Sequence, residues 1–234
     1  MSPPAEPGDY LIYLIVANYV TNHVSDRAEL HTIAKEAQAA TGQKDITVVA
    51  DKGYYSGNII KDCQDDGMTP LVAKTNTSGF KEKGLVPRED FTYDADKDAY
   101  ICPANRELPY SYKTVESGKL LYGYTSVITC KSCAARDQCT RGTAARHIRR
   151  WEHEDRLENM EAILQSMPEI MKIRKSTVEH PFGTIKSWMG ATHFLTKRLE
   201  NVSTEMNLHV LAYNMKRMIN IFGQQSLINA IRTI

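Results

Sequence analysis

The sequence predicts an α/β fold carrying a smaller β-rich insertion. Three observations lead there. Two short apolar runs, residues 10–20 and 45–50, flank a segment with helical periodicity and clear start and stop signals. From about residue 75 the texture changes to turn residues and short tyrosine-rich runs, and from about residue 152 helical periodicity returns. With 234 residues and 42% apolar side chains, the chain can bury a sizeable core as one large domain or two small ones.

The elements follow in order. The run "YLIYLIVANYV" (10–20) is rich in β-branched and aromatic residues and reads as a buried strand. In "SDRAELHTIAKEAQAATG", Leu30, Ile33, Ala34 and Ala37 share one helical stripe, Ser25 or Asp26 can cap the start, and Gly42 can end it. "DITVVA" (45–50) is a second buried strand. A turn at Asp51, a short helix within "SGNIIKDCQDDG" and a third strand in "TPLVAK" come next, and strand–helix–strand at this spacing implies a parallel crossover. "FTYD" and "AYICP" read as strands of hairpins in the insertion. Later helices are broken near Pro168 and Gly190, and in the last, about 202–222, Leu208, Leu211, Met215, Met218, Ile219 and Phe222 form a stripe expected to pack in the core. The implied division is 10–74 for the first part of the core, 75–150 for the cysteine-bearing insertion, 151–222 for the helical part of the core and 223–234 for a tail.

Charge narrows the function. The net charge of +1 excludes a uniformly polycationic protein, yet "RGTAARHIRRW" (141–151) holds Arg141, Arg146, Arg149 and Arg150 without an acid, and the next stretch is acidic. Nucleic-acid contact therefore has to come from local clusters. The apolar run at 10–17 is too short to span a bilayer and is flanked by Glu6 and Asp9, so neither membrane helix nor signal peptide is expected, and a cytoplasmic setting follows. Five cysteines without an export signal point to metal or plain thiols rather than disulfides.

Cys130 and Cys133 stand in a C-x-x-C pair, with Cys139 and Cys102 nearby. Two thiolates at this spacing can grip one tetrahedral zinc ion, and Cys102 or His147 could complete the set; reduced core thiols are the simpler alternative. Cys63, on the short helix, reads as a small apolar residue. Among the acids, Asp51 ends a buried strand, where α/β folds place their ligand crevice. Glu179 lies at what reads as a helix start, and Lys186 follows two turns later on the same face, with Lys172 and Lys175 before it. Distant carboxylates brought together can hold two divalent ions for phosphodiester chemistry, with lysines on the DNA phosphates. Locally, a turn-forming aspartate and a solvated Glu–Lys pair are the ordinary readings.

"VVADKGYYSG" and "RKSTVEHPFGTIKSWMGATHFLTKRLENVSTEMNLHVLAYNMKRM" resemble bacterial insertion-sequence transposases of the DDE class, and "NHVSDRAEL" with "CKSCAARDQC" resembles the subgroup whose cysteine-bearing insertion precedes the final Glu. The resemblance runs from about residue 18 to 222. It implies a ribonuclease-H-like core, here incomplete at its amino-terminal end, with a small Cys-rich β-hairpin insertion and carboxy-terminal helices. It assigns Asp51 to the second catalytic aspartate, Glu179 to the catalytic glutamate, both as Mg²⁺ or Mn²⁺ ligands, and Lys186 to a lysine beyond that Glu. Where relatives carry a tyrosine and an arginine before the Glu, this chain has Lys172 and Lys175, with Arg174 as a substitute. The implied partner is DNA, the transposon ends, contacted by Lys172, Arg174, Lys175 and Lys186 and, from the basic cluster, by Arg146, Arg149 and Arg150, with no membrane and with room for a homodimer.

The resemblance departs at the opening strand that carries the first catalytic aspartate in the family; Asp9 and Asp26 are poor replacements. The expectation is a transposase fragment inactive alone, against a non-catalytic, zinc-stabilised DNA-binding or regulatory module using Cys102, Cys130, Cys133 and Cys139, or an expressed remnant without a stable fold.

Overall fold

The computed structural model describes residues 13–74, 79–141 and 145–232. Asp9, residues 10–12 of the expected first strand, and Gly142 to Ala144 of the arginine cluster lie outside the described residues. The chain divides into two compact units, one formed by Met1–Ala73 with Met160–Ile234 and the other by Lys74–Asn159.

In the first unit, helix α1 (Glu29–Thr41) is entered through a 3₁₀ turn whose cap is Ser25, its side chain accepting from the Arg27 N–H. The helix ends at Gly42, where φ is +66° and the N–H bonds the Gln38 carbonyl, a left-handed stop that glycine adopts without strain. Leu30 and Ala34 form its buried stripe. Strand β1 (Thr47–Ala50) pairs in parallel with β2 (Thr69–Val72) through α2 (Gly57–Asp65), the crossover that the sequence implies. Ile60, Cys63, Leu71 and Val72 are fully enclosed between these elements.

Two expectations fail here for physical reasons. Residues 13–20 form no strand, although their composition suits one, because no neighbouring strand completes a ladder with them. Side chains of helix α7 (Leu199–Phe222) satisfy that backbone instead. Asn214 accepts from the Ile15 N–H at 3.0 Å and donates to the Ile15 carbonyl at 2.8 Å, and the Tyr213 hydroxyl donates to the Tyr13 carbonyl at 2.7 Å. Those contacts select the opposite face of α7. Val210 and Tyr213 are therefore the buried residues, and the stripe expected in the core is exposed, Leu208 by 62% and Leu211 by 56%. Periodicity shows that a face is apolar, not which of two apolar faces finds a partner.

The second unit is an antiparallel sheet in the order β3 (Thr92–Asp94), β4 (Ala99–Ile101), β5 (Glu107–Glu116), β6 (Lys119–Tyr124) and β7 (Ile148–Trp151). Ser117 and Gly118, both at positive φ, make the two-residue turn from β5 to β6. Phe91, Tyr100, Leu108, Tyr124 and Ile148 form the core, with Cys102, Cys130 and Cys139 packed against it. Tyr93, Tyr100 and Tyr124 meet ring to ring at 5.1 to 5.9 Å, and Asp98 accepts from the hydroxyls of Tyr93 and Tyr124 at 2.8 and 2.7 Å. The end of the arginine cluster becomes strand β7, whose alternation turns Arg149 outward and Arg150 inward. Two short helices follow β6, α3 (Val127–Lys131) and α4 (Arg136–Cys139), and they carry the C-x-x-C region. Helix α5 (Glu154–Ser166) runs from this unit into the first.

Candidate functional site

Asp51 leaves the carboxyl end of β1 and caps the 3₁₀ turn Lys52–Tyr54, its Oδ1 accepting from the Lys52 N–H at 2.7 Å. Its Oδ2 lies 3.9 Å from the guanidinium of Arg174 on helix α6 (Ile170–Gly183). Both sit in a cavity of about 530 Å³ whose walls include Val48, Val49, Ala50, Tyr54, Val178, Phe182 and Ile185. Consecutive residues of β1 reach it although their side chains alternate, so the cavity runs along the strand's edge. Asp26 and Glu29 line it as well. Glu29 is held below the usual carboxylate range by hydrogen bonds from Tyr19 and then His23.

Glu179 is in the last part of α6 and not at a helix start. Pro181, inside the helix, removes the N–H that would bond the Thr177 carbonyl, and a π turn, Thr184–Trp188, follows immediately. Lys186 falls in that turn, so the regular two-turn relation to Glu179 is interrupted. Successive helical residues point about 100° apart. Val178 accordingly faces the Asp51 cavity, and Glu179 lines another of about 440 Å³ with His180, Trp188, Tyr213, Lys216 and Arg217. Its nearest cation is Lys175, 3.8 Å away and exposed. The structure thus places Asp51 with Arg174 and Glu179 with Lys175, each carboxylate lining a different cavity. Among the described residues, no three His, Cys, Asp or Glu side chains are grouped so as to hold a metal ion.

The basic residues separate by burial. Lys172 is exposed and pairs with Glu169 at 3.0 Å, and Lys186 is exposed beside the Phe182 ring. Arg149 is exposed and pairs with Glu116 at 2.7 Å. Arg146 and Arg150, expected at phosphates, are both buried within the second unit. Arg150 lies over the Tyr93 ring at 3.9 Å and forks onto Glu158; Arg146 lies over Phe80 at 4.1 Å. Sequence reasoning missed Trp188, Lys216 and Arg217, whose common address is visible only when α6, the π turn and α7 come together.

Across residues 11–215 the sequence matches the family model of the transposase DDE domain. The chain belongs to the DDE transposase family. No curated protein and no solved structure matches it. Its family is one of DNA transposition, with divalent metal ions as the usual cofactor. As a member of that family the chain is a DNA-binding protein by kind, and among its described residues no helix is long and apolar enough to cross a membrane.

The DDE domain's second unit has its own concentration of chemistry. Cys102, Cys130, Cys133 and Cys139 line one cavity of about 30 Å³ together with Arg106, Arg136 and Arg146, and no acid shares that lining. Burial pushes the Cys139 thiol up, Arg146 opposes this, and Cys130, Cys102 and Cys133 add to it. All four cysteines are free thiols. Cys63, in the first unit, is fully buried, and burial pushes its thiol up to about 11.

Proposed function

We propose that the family chemistry of this chain is metal-dependent DNA strand cleavage and transfer, and that the chain is inactive alone. Asp51 and Glu179 are the family's second and third acids in this reading, within a ribonuclease-H-like core. One observation carries the inactivity: Asp51 faces a guanidinium at 3.9 Å while Glu179 lines a separate cavity. As they stand, these donors do not fit a two-ion site, which needs carboxylates converging on ions about 4 Å apart. Exposed Lys172, Lys175 and Lys186 remain available to DNA phosphates, an interaction that weakens with salt. The test is nicking and strand transfer on plasmid and terminal-repeat DNA in Mn²⁺. The expected result is none above background; activity that disappears in Glu179→Gln would show an assembled site and overturn the claim of inactivity.

A second reading rests on the other unit. Four thiols around one small cavity, with no carboxylate in its lining, match the donor chemistry of a closed structural zinc site, although the sulfurs do not converge closely enough to hold the ion as they stand. In that reading Cys102, Cys130, Cys133 and Cys139 stabilise a DNA-binding or regulatory module. Zinc content of the purified chain, measured against a variant with all four cysteines replaced by serine, decides it. A metal-free wild type with a sharp melting transition would remove it.

A further inference from the structure

Where the chain enters β7, the second unit holds a cavity of about 490 Å³ whose titratable lining, among the described residues, is wholly basic: Lys83, Arg141, Arg146 and His147. Lys83, Arg141 and His147 are exposed, and Arg146 is buried. Arg141 Nη2 donates to the Lys83 carbonyl at 3.0 Å, so two segments far apart in sequence are tied at the rim. None of the three permanent cations forms an ion pair with a carboxylate of the described residues; Glu89 acts on Arg146 only through its charge, without a salt bridge. Such a cavity attracts anions and repels metal ions.

Arg146 is the telling member. It is 8% exposed, yet its guanidinium has little to neutralise it. Its Nη1 reaches the Cys139 carbonyl at 3.4 Å, and the group lies over the rings of Phe80 at 4.1 Å and Phe91 at 5.4 Å. Its Nε is buried and has no hydrogen-bond partner. The rings engage the flat faces of a guanidinium, whereas its N–H groups radiate in the plane and seek acceptors there. Burial accordingly pulls Arg146 below the usual arginine range, and Cys139 and Glu89 offset this only in part. A buried donor in this state is seldom left idle. Three permanent cations also call for more negative charge than a single carboxylate supplies, and a phosphate group offers both the charge and several oxygens to a guanidinium fork.

We propose that this cavity is an oxyanion site that takes a phosphate group, with Arg146 as its buried anchor and Lys83 and Arg141 holding the oxygens from the rim. His147 adds a fourth positive charge when protonated. The phosphate is either free inorganic phosphate or one carried by a DNA strand, and the chemistry of recognition is the same. The site goes beyond the function proposed above, because it stands whether or not the chain cuts DNA. It also gives an arginine of the basic cluster a reason to be held between two aromatic rings: the rings fix the fork in advance of its ligand.

The experiment titrates the full chain with inorganic phosphate at constant ionic strength and follows the phosphorus magnetic resonance signal. The wild type is expected to bind saturably. The double variant K83M/R141M, altered only at exposed positions, is expected to lose at least about tenfold in affinity, as loss of charge-assisted hydrogen bonds implies. K172M, which removes one positive charge from the other unit, is expected to bind phosphate as the wild type does. R146K keeps the charge but not the fork, and is expected to bind several-fold more weakly. A wild type without saturable binding overturns the proposal. So does a double variant that binds like the wild type, or a K172M that loses as much as the double variant, since phosphate would then be following net charge alone. Addition of a DNA oligonucleotide identifies the source: release of bound phosphate supports a DNA phosphate, and retention supports free phosphate, with the site standing in both cases. Strand transfer by the chain would overturn its inactivity and leave this site untouched.

Discussion

The two units treat ionisable groups in opposite ways. Around the carboxylates of the first unit, Asp51 and Glu179 are exposed by 55% and 65% and touch cations only at 3.9 and 3.8 Å. In the second, Arg150 is 10% exposed with Glu158 bound through both guanidinium nitrogens, and aromatic rings hold the arginines in plane. One site is a wide cavity along a strand edge, and the other is a small cavity lined mostly by α3, α4 and the residues around them. Close geometry of the second kind is specified by packing from all sides, whereas the first has a wall of carboxylates awaiting something that converges on them.

If packing sets the second site, damage to its core should be the most costly change. Leu108 is 1% exposed and lines the cysteine cavity as well as the tyrosine core. Leu108→Ala is expected to destabilise that unit by about 2–5 kcal/mol. Trp151, buried in the same sheet, reports on it by fluorescence during urea unfolding. A loss under about 1 kcal/mol would show that the cavity is not held by this core.

The thiols sharpen the same contrast through pH. Burial raises Cys63 from an ordinary value of 9.0 to about 11, so the folded chain holds that proton more tightly than the unfolded chain. The sign follows from linkage: the contribution is fully present below about pH 9 and is lost as pH rises through 11. The melting temperature of the wild type should therefore fall more steeply across that window than that of Cys63→Ala, irrespective of their absolute levels. Parallel slopes would mean that this thiol is solvated in the folded chain.

Much of the first unit was legible because its signals are local. Ser25 and Gly42 bracket a helix, and β1, α2 and β2 follow from runs of four to nine residues whose backbone partners lie close by in sequence. Residues 13–20 and α7 were misread where the answer depends on a distant partner: Asn214 decides the first and Tyr213 the second. The acids at 51 and 179 were found through resemblance, but Arg174 as the neighbour of Asp51 required the packing of α6 on β1. Likewise the arginine run reads as basic surface until the period-2 alternation of β7 and the aromatic rings of β3 and β4 are in place to bury Arg150.

The smallest expected effects come from removing one arginine from each unit, and their ratio tests the contrast directly. Arg150→Met takes away charge-assisted hydrogen bonds whose arginine end is buried, a loss of about 1–2 kcal/mol once the half-exposed Glu158 is allowed its solvation. Arg174→Met removes a long pair whose acid is more than half exposed, and should change stability by less than about 1 kcal/mol. Its consequence should appear in binding instead. With Arg174 gone, the cavity retains Asp26, Glu29 and Asp51 with no cation in its described lining, so Mn²⁺ should bind more tightly, as read by the loss of the free-ion magnetic resonance signal. Equal Mn²⁺ binding by wild type and variant would show that Arg174 does not neutralise Asp51. A stability loss as large as that of Arg150→Met would show that the groove is as tightly built as the cysteine cavity.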